Sequence, residues 1–347
     1  MAPRVAVVGC GVIGATSALE ILQSNPSVRL TVIADTFSPE NTSDGAAGLL
    51  MPFAVGETDP GLVRRWFKET MRRFEELLRS EIAPELGVFR ASGCLVADHQ
   101  QEIPDWKDLV YGFKQMSREE LERFPLSAKI GFVFETIIAQ GSYYIPWLMK
   151  RIQHYGGKIV KRRLDSFQEL ARSFDVVVNC CGLGAKGLAQ DRHMFPIRGQ
   201  ILRVKAPWIK QFILYEKYED LKAGRLNDII PQMDHVVLGG CAQAGSFNTV
   251  PTLQDTVNII EDTSKVIPAL KNAEVISNWS GLRPGRKTVR LEKEVMLFKD
   301  ESGCIIKLNV VHNYGHGGAG PSLSFGCAKD TADLVAQILS RDAKSML

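Results

Sequence analysis

The sequence predicts an α/β protein: a discontinuous Rossmann-like domain, with an α+β domain built on a mainly antiparallel sheet inserted between its parts. Three observations carry this expectation. A strand, a glycine loop, a helix and a second strand follow one another between Arg4 and Ile33. Buried-strand character returns at Asp175–Asn179, and the final stretch from Ser322 to Ser340 is amphipathic. Between them, Gly199–Gly240 alternates in a β-like way and carries Pro and Gly breaks, which suits antiparallel sheet better than further βαβ units. At 347 residues the chain exceeds the usual size of one domain. Segments 1–50, 141–195 and 287–347 are expected to form the first domain, and 51–140 and 196–286 the second.

Arg4–Val8 is an apolar run that ends at Gly9, as a buried parallel strand does. Ala15, Ala18, Ile21 and Leu22 give the helix from Val12 to Gln23 one apolar face, and Leu30–Ile33 reads as the next strand. Asp59-Pro60 opens a long helix through Ile82, with Asp suited to cap and Pro to the first turn. A helix over Tyr144–Tyr155 stops at Gly156-Gly157, a strand spans Lys158–Arg163, and Ser166-x-x-Glu169 is a capping box. Another helix is expected over Gln254–Val266.

Composition narrows the function. A net charge of +3 is too small to argue for nucleic acid, and the basic cluster Lys161-Arg162-Arg163 reads as a solvated strand end. No stretch approaches the ~20 apolar residues of a membrane span. Seven cysteines without metal-type spacing point to reduced thiols and to no metal site.

Gly9-Cys10-Gly11-Val12-Ile13-Gly14 is a G-x-G-x-x-G loop between strand and helix. Gly9 permits the tight turn, Gly11 lets a pyrophosphate approach the backbone, and Gly14 allows close helix–strand packing. Asp35, followed by Thr36, ends the second strand where a ribose-binding carboxylate is expected. The loop suits NAD and FAD equally, which leaves an NAD-dependent dehydrogenase open.

The segment Val310–Gly320, with Gly315, Gly317, Gly318 and Gly320, can bring backbone against a flat ligand, and the helix after it would aim its N-terminus there. On residues alone, a glycine-rich turn is an equal reading. This segment matches the signature of the D-amino-acid oxidases and D-aspartate oxidases. The resemblance spans nearly the whole chain through Asp35, Thr42–Leu49, Pro146-Trp147-Leu148, Val178-Asn179-Cys180, Arg198-Gly199-Gln200 and Gly281-Leu282-Arg283-Pro284.

The resemblance implies FAD as cofactor. It assigns Gly9, Gly11, Val12, Ile13, Gly14, Asp35 and Thr36 to the ADP part of FAD, and Thr42, Ser43, Gly48 and Leu49 to the pyrophosphate and flavin. Gly317, Gly318, Ala319, Gly320 and Ser322 resemble the segment that closes on the isoalloxazine ring. Arg283 matches the arginine that clamps the substrate α-carboxylate, and the Gly318 carbonyl is the expected acceptor for the substrate amine. The implied reaction is oxidation of a D-amino acid by O2, giving H2O2, ammonia and a 2-oxo acid. No acid–base residue is required, because hydride leaves Cα directly.

Trp66–Thr70, Tyr144–Ile152 and Gly182-Leu183-Gly184 are closer to the D-aspartate oxidases, so acidic substrates (D-aspartate, D-glutamate) are expected, with neutral D-amino acids as the alternative. A side-chain carboxylate needs a second cation. Asp228 stands where both subfamilies carry a tyrosine, and Ala242 where vertebrate D-aspartate oxidases carry an arginine. Lys217, Lys222 and Arg225 are candidates for the cation, and Tyr215 or Tyr218 for the tyrosine. Loss of that tyrosine also leaves a catalytically inactive FAD-binding protein as an alternative. Ser345-Met346-Leu347 resembles the address read by the peroxisomal import receptor, so the peroxisome matrix is expected, with the cytoplasm as the alternative.

Overall fold

The computed structural model describes residues 2–345 apart from Leu126 and Glu301, with no side chain beyond Ser340. Ser345-Met346-Leu347 therefore falls outside the described residues but for the backbone of Ser345.

Two sheets organise the chain. The first has six strands in the order Arg290–Lys299, Ile305–Tyr314, Val176–Asn179, Arg4–Val8, Arg29–Ala34 and Lys158–Lys161. Five are parallel, and Arg290–Lys299 runs antiparallel along one edge. Both faces of the central strands Arg4–Val8 and Val176–Asn179 are covered, which is why these two read as unbroken apolar runs. Val5 and Val7 face the helices, and Ala6 and Val8 face a smaller cluster around Phe167 and Leu170. The order reverses beside Arg4–Val8, which pairs Arg29–Ala34 on one side and Val176–Asn179 on the other. Its C-terminal end is the topological switch point where open α/β sheets bind ligands.

The second sheet has nine strands and is antiparallel except where Val88–Ala97 pairs Phe212–Glu216 in parallel. Its strands Val88–Ala97, Tyr111–Gln115 and Ile130–Ala139 were not expected from the sequence. Val88–Ala97 and Ile130–Ala139 bury residues on both faces, so neither shows a clean alternation. The expected helices form at Val12–Ser24, Pro60–Leu78, Gly141–His154, Leu253–Val266 and Gly320–Ser345. The second stops short of Ile82, and the strand expected over Lys158–Arg163 ends at Lys161.

The terminal helix is locked to Pro60–Leu78. Asp330 accepts from Trp66 Nε1 at 2.7 Å and pairs with Arg65 at 2.6 Å, and Gly326 N donates to Thr70 Oγ1 at 3.1 Å. The helices touch at Gly326, where an added Cβ would lie 2.3 Å from Trp66 Cα and 2.4 Å from its carbonyl oxygen. Gly326→Ala is expected to cost about 1–3 kcal/mol of stability, seen as a lower denaturant midpoint with an unchanged slope. An unchanged midpoint would mean that this crossing yields freely.

Candidate active site

Two cavities meet at Val12, Ile13, Thr42 and Ser43, which line both. One is a cleft of about 630 Å³ over the switch point. The other, of about 200 Å³, lies between the glycine-rich segments and the second sheet.

The cleft is built from close backbone approaches. Gly9 has φ +102°, and a Cβ there would stand 2.4 Å from the Cys180 carbonyl oxygen. At Gly14 a Cβ would meet the Gly9 carbonyl oxygen at 2.1 Å. The helix that starts at Val12 has no side-chain cap, so its first turn opens toward the cleft with one N–H, that of Val12, bonded to Ser43 Oγ at 3.0 Å. Asp35 and Thr36 line the far end. An uncapped helix N-terminus between glycines, with a carboxylate beyond it, fits the pyrophosphate and ribose of a dinucleotide.

Sequence reasoning missed part of this cleft. Arg162, Arg163 and Leu164 line it, as do Cys181 and Gly182. The basic cluster is thus a wall of the cleft, and Arg162 also pairs with Glu169. Only the crossover from strand Lys158–Lys161 brings it there. Gly14 and Ser322 line neither cavity. Gly14 serves packing, and the Ser322 hydroxyl donates to the Met51 carbonyl at 2.9 Å and accepts from its N–H at 3.0 Å, tying the terminal helix to the segment after Leu49.

Gly48, Leu49, Gly317, Gly318 and Gly320 all line the inner cavity. Gly48 (φ +71°) and Gly317 (φ +55°) occupy the left-handed region, and a Cβ at either would strike a backbone oxygen at 2.0 Å or closer. Phe53 covers Gly318 and stands 6.0 Å from the Arg283 guanidinium, while Trp279 packs between Gly45 and Gly281. His312, by contrast, is wholly buried between Asn179 at 3.1 Å and Glu294 at 3.0 Å and is structural.

Every second residue of five strands forms the wall opposite. Trp279, Gly281 and Arg283 stand beside Gly199 and Ile201, then come Val237 and Gly239, then Leu226, Asp228 and Ile230, then Leu214 and Glu216. Gly199 pairs Gly281, and a Cβ at Gly199 would meet Arg283 Nη1 at 2.5 Å, so the guanidinium lies in the space the glycine leaves. Arg283 Nη1 donates to the Cys241 carbonyl at 2.9 Å, and among the described residues Arg283 has no ion pair. Burial pulls its pKa down. A partly desolvated guanidinium without an ion pair is costly, and an anion bound in the cavity would balance it. Its neighbours in the matched block, Arg198 and Gln200, face away into a buried network with Asp255 at 2.7 Å and Thr252.

Asp228 is the second charge on this wall. Burial, with the nearby Glu216 adding to it and Arg283 opposing, pushes its carboxyl up to about 7. Burial also raises Glu216, against a hydrogen bond from Gln101.

The loop cations do not enter. Lys217 pairs with Asp220, Lys222 with Glu219, and Arg225 with Asp220 and Asp262. The candidate tyrosines do not enter either. Tyr215 points to the other face of its strand and bonds Ser127 at 2.7 Å, and Tyr218 is exposed. Among the described residues no group of three or more metal-ligating side chains exists, all seven cysteines are free, and no helix is long and apolar enough to cross a membrane.

Comparison with known proteins places this arrangement. The chain is 39% identical to human D-aspartate oxidase over 336 residues, covering 96% of this chain and 95% of that one. It is 35% identical to a D-amino acid oxidase of Dugesia ryukyuensis, covering 97% and 98%. Its fold superposes on glycine oxidase from Bacillus cereus with a TM-score of 0.71 at 19% identity, covering 96% and 95%. Residues 4–334 match the model of the DAO family, described as FAD dependent oxidoreductase. With a glycine cleft suited to a dinucleotide and near-complete alignment, this chain belongs to the DAO family of FAD-dependent oxidoreductases.

Proposed function

We propose that this protein catalyses FAD-dependent oxidative deamination of D-amino acids, converting substrate, O2 and water to a 2-oxo acid, ammonia and H2O2. One observation carries the reading: a partly buried guanidinium without an ion pair among the described residues, Arg283, faces a cavity closed on its other side by Gly317 and Gly318. The residues of segments 1–50, 141–195 and 287–347 would hold FAD, and those of 51–140 and 196–286 would hold the substrate. Gly9, Gly11, Val12 and Ile13 would take the pyrophosphate, Asp35 the ribose, and Gly48, Leu49, Gly317, Gly318 and Gly320 the flavin.

The chemistry that FAD supplies when bound is acceptance of a hydride from substrate Cα and delivery of the electrons to O2. The protein supplies position. Arg283 grips the α-carboxylate in two parallel hydrogen bonds, a match of fork to fork that lysine cannot make. The Gly318 carbonyl accepts from the amine, which fixes the direction of the Cα–H bond. The enclosed apolar wall of Leu214, Ile230 and Trp279 keeps water from the reacting carbon.

The human relative's name, D-aspartate oxidase, supports acidic side chains. The cavity itself supports a non-acidic one as a second reading, because Arg283 is the one cation among its described lining residues. Amine-dependent H2O2 production with D-aspartate, D-glutamate, D-alanine and D-methionine side by side separates them. Turnover of D-alanine without D-aspartate or D-glutamate would remove the acidic reading, and silence with every D-amino acid would remove both.

Arg283→Ala is expected to lose about 2–5 kcal/mol of transition-state binding, thirtyfold or more in kcat/KM, while the visible bands of bound FAD persist. Unchanged kinetics would take Arg283 out of the site. Gly9→Val acts elsewhere: with φ +102° and a Cys180 oxygen 2.4 Å from the new Cβ, the variant is expected to purify without flavin colour. The Ser345-Met346-Leu347 tripeptide and the H2O2 product support import into peroxisomes. Loss of catalase co-localisation on deleting the tripeptide is the expected result, and unaltered localisation would count against it.

A further inference from the structure

We propose that Glu216 and Asp228 form a cation-recognising subsite in the substrate cavity, and that D-amino acids with an ammonium or guanidinium side chain are substrates of this enzyme. The inference rests on the D-amino-acid oxidase reading and names a side-chain class within it.

The geometry comes from strand register. Asp228 stands opposite Leu214 on the neighbouring antiparallel strand, and Glu216 lies two residues further along that strand, on the same face. Side chains so related are diagonal neighbours within reach of one another. Both line the cavity that Arg283 lines. Glu216 is held in place by Gln101, which donates to its Oε2. Asp228, partly buried, makes no side-chain hydrogen bond among the described residues. Gly239, its cross-strand partner, leaves the space beside it open.

Charge then decides the occupant. The charged side chains lining the cavity are Glu216, Asp228 and Arg283. Once a substrate α-carboxylate neutralises Arg283, two carboxyl groups remain without a counter-ion. Lys217, Lys222 and Arg225 do not supply one, because Lys217 pairs with Asp220, Lys222 with Glu219, and Arg225 with Asp220 and Asp262. A second substrate carboxylate would add a like charge, and an apolar side chain would leave the partly buried Asp228 carboxyl unsatisfied. An ammonium brings three donors and a guanidinium five. Such a cation also favours the ionised form of both carboxyls, against the burial that raises them.

The test compares D-lysine with D-norleucine, which has a methyl group where lysine has its ammonium. At mildly alkaline pH, wild-type kcat/KM is expected to favour D-lysine at least about tenfold, and Asp228→Asn and Glu216→Gln are each expected to cut that ratio at least about tenfold. A calorimetric arm uses the FAD-loaded protein with 6-aminohexanoate and hexanoate, which share the carboxylate and differ in the terminal ammonium. The aminated ligand is expected to bind wild type more tightly and to lose that advantage in both variants. D-norleucine oxidised as well as D-lysine, or ratios that the variants leave in place, would overturn the subsite. Silence with D-lysine, D-alanine, D-aspartate and D-norleucine alike would instead overturn the oxidase reading, and the calorimetry would still decide whether the cation is recognised. FAD content and thermal midpoint report whether each variant is folded, and either variant suffices.

Discussion

The antiparallel pairing of Phe195–Lys205 with Glu274–Gly285 is the constraint on which the site depends. It sets Gly281 against Gly199 and carries Arg283 one step further along the same face. With no side chain at Gly199, the guanidinium lies against the sheet and is partly shielded from water. It keeps one hydrogen bond, to the Cys241 carbonyl, and is otherwise available. Desolvating a guanidinium without an ion pair is expensive, so the surrounding structure must hold it there. The adjacent network of Arg198, Gln200, Asp255 and Thr252 does this by pinning the strand from its opposite face. One three-residue block therefore alternates between holding the sheet and making room for the clamp.

The cofactor side depends on a different economy. Gly9, Gly14, Gly48 and Gly317 each sit where a Cβ would overlap a backbone oxygen. Such contacts bring chain segments distant in sequence to within one atom's thickness of each other. Small side chains then join them: Ser43 accepts from Val12 N, and Ser322 exchanges two hydrogen bonds with the backbone of Met51. The terminal helix is thereby coupled to the wall of the inner cavity, while Asp330 and Gly326 couple the same helix to Pro60–Leu78.

Electrostatics divides the cavity into two ends. At one, Arg283 awaits an anion. At the other, Asp228 replaces the hydroxyl that the family resemblance leads one to expect, and Glu216 stands beside it. The positive residues of the Lys217–Arg225 segment are spent on Glu219, Asp220 and Asp262, so the loop stabilises itself and leaves the cavity's acidic end uncompensated.

By itself the sequence determined the fold class, the cofactor and the family, and it pointed to the dinucleotide loop and to the proposed clamp. These are local signals: a glycine spacing that only a tight turn explains, apolar runs that only a buried parallel strand tolerates, and ordered blocks along the chain. Tertiary structure decided what those signals could not carry. Arg162 and Arg163 join the cofactor cleft only because a parallel crossover returns them beside Asp35. Tyr215 leaves the site and Glu216 enters it because successive residues of a strand face opposite ways, and the register that chooses between them is set by Asp228 pairing with Leu214. Ser322 proves to be a tie between segments 271 residues apart, a contact that no local pattern encodes.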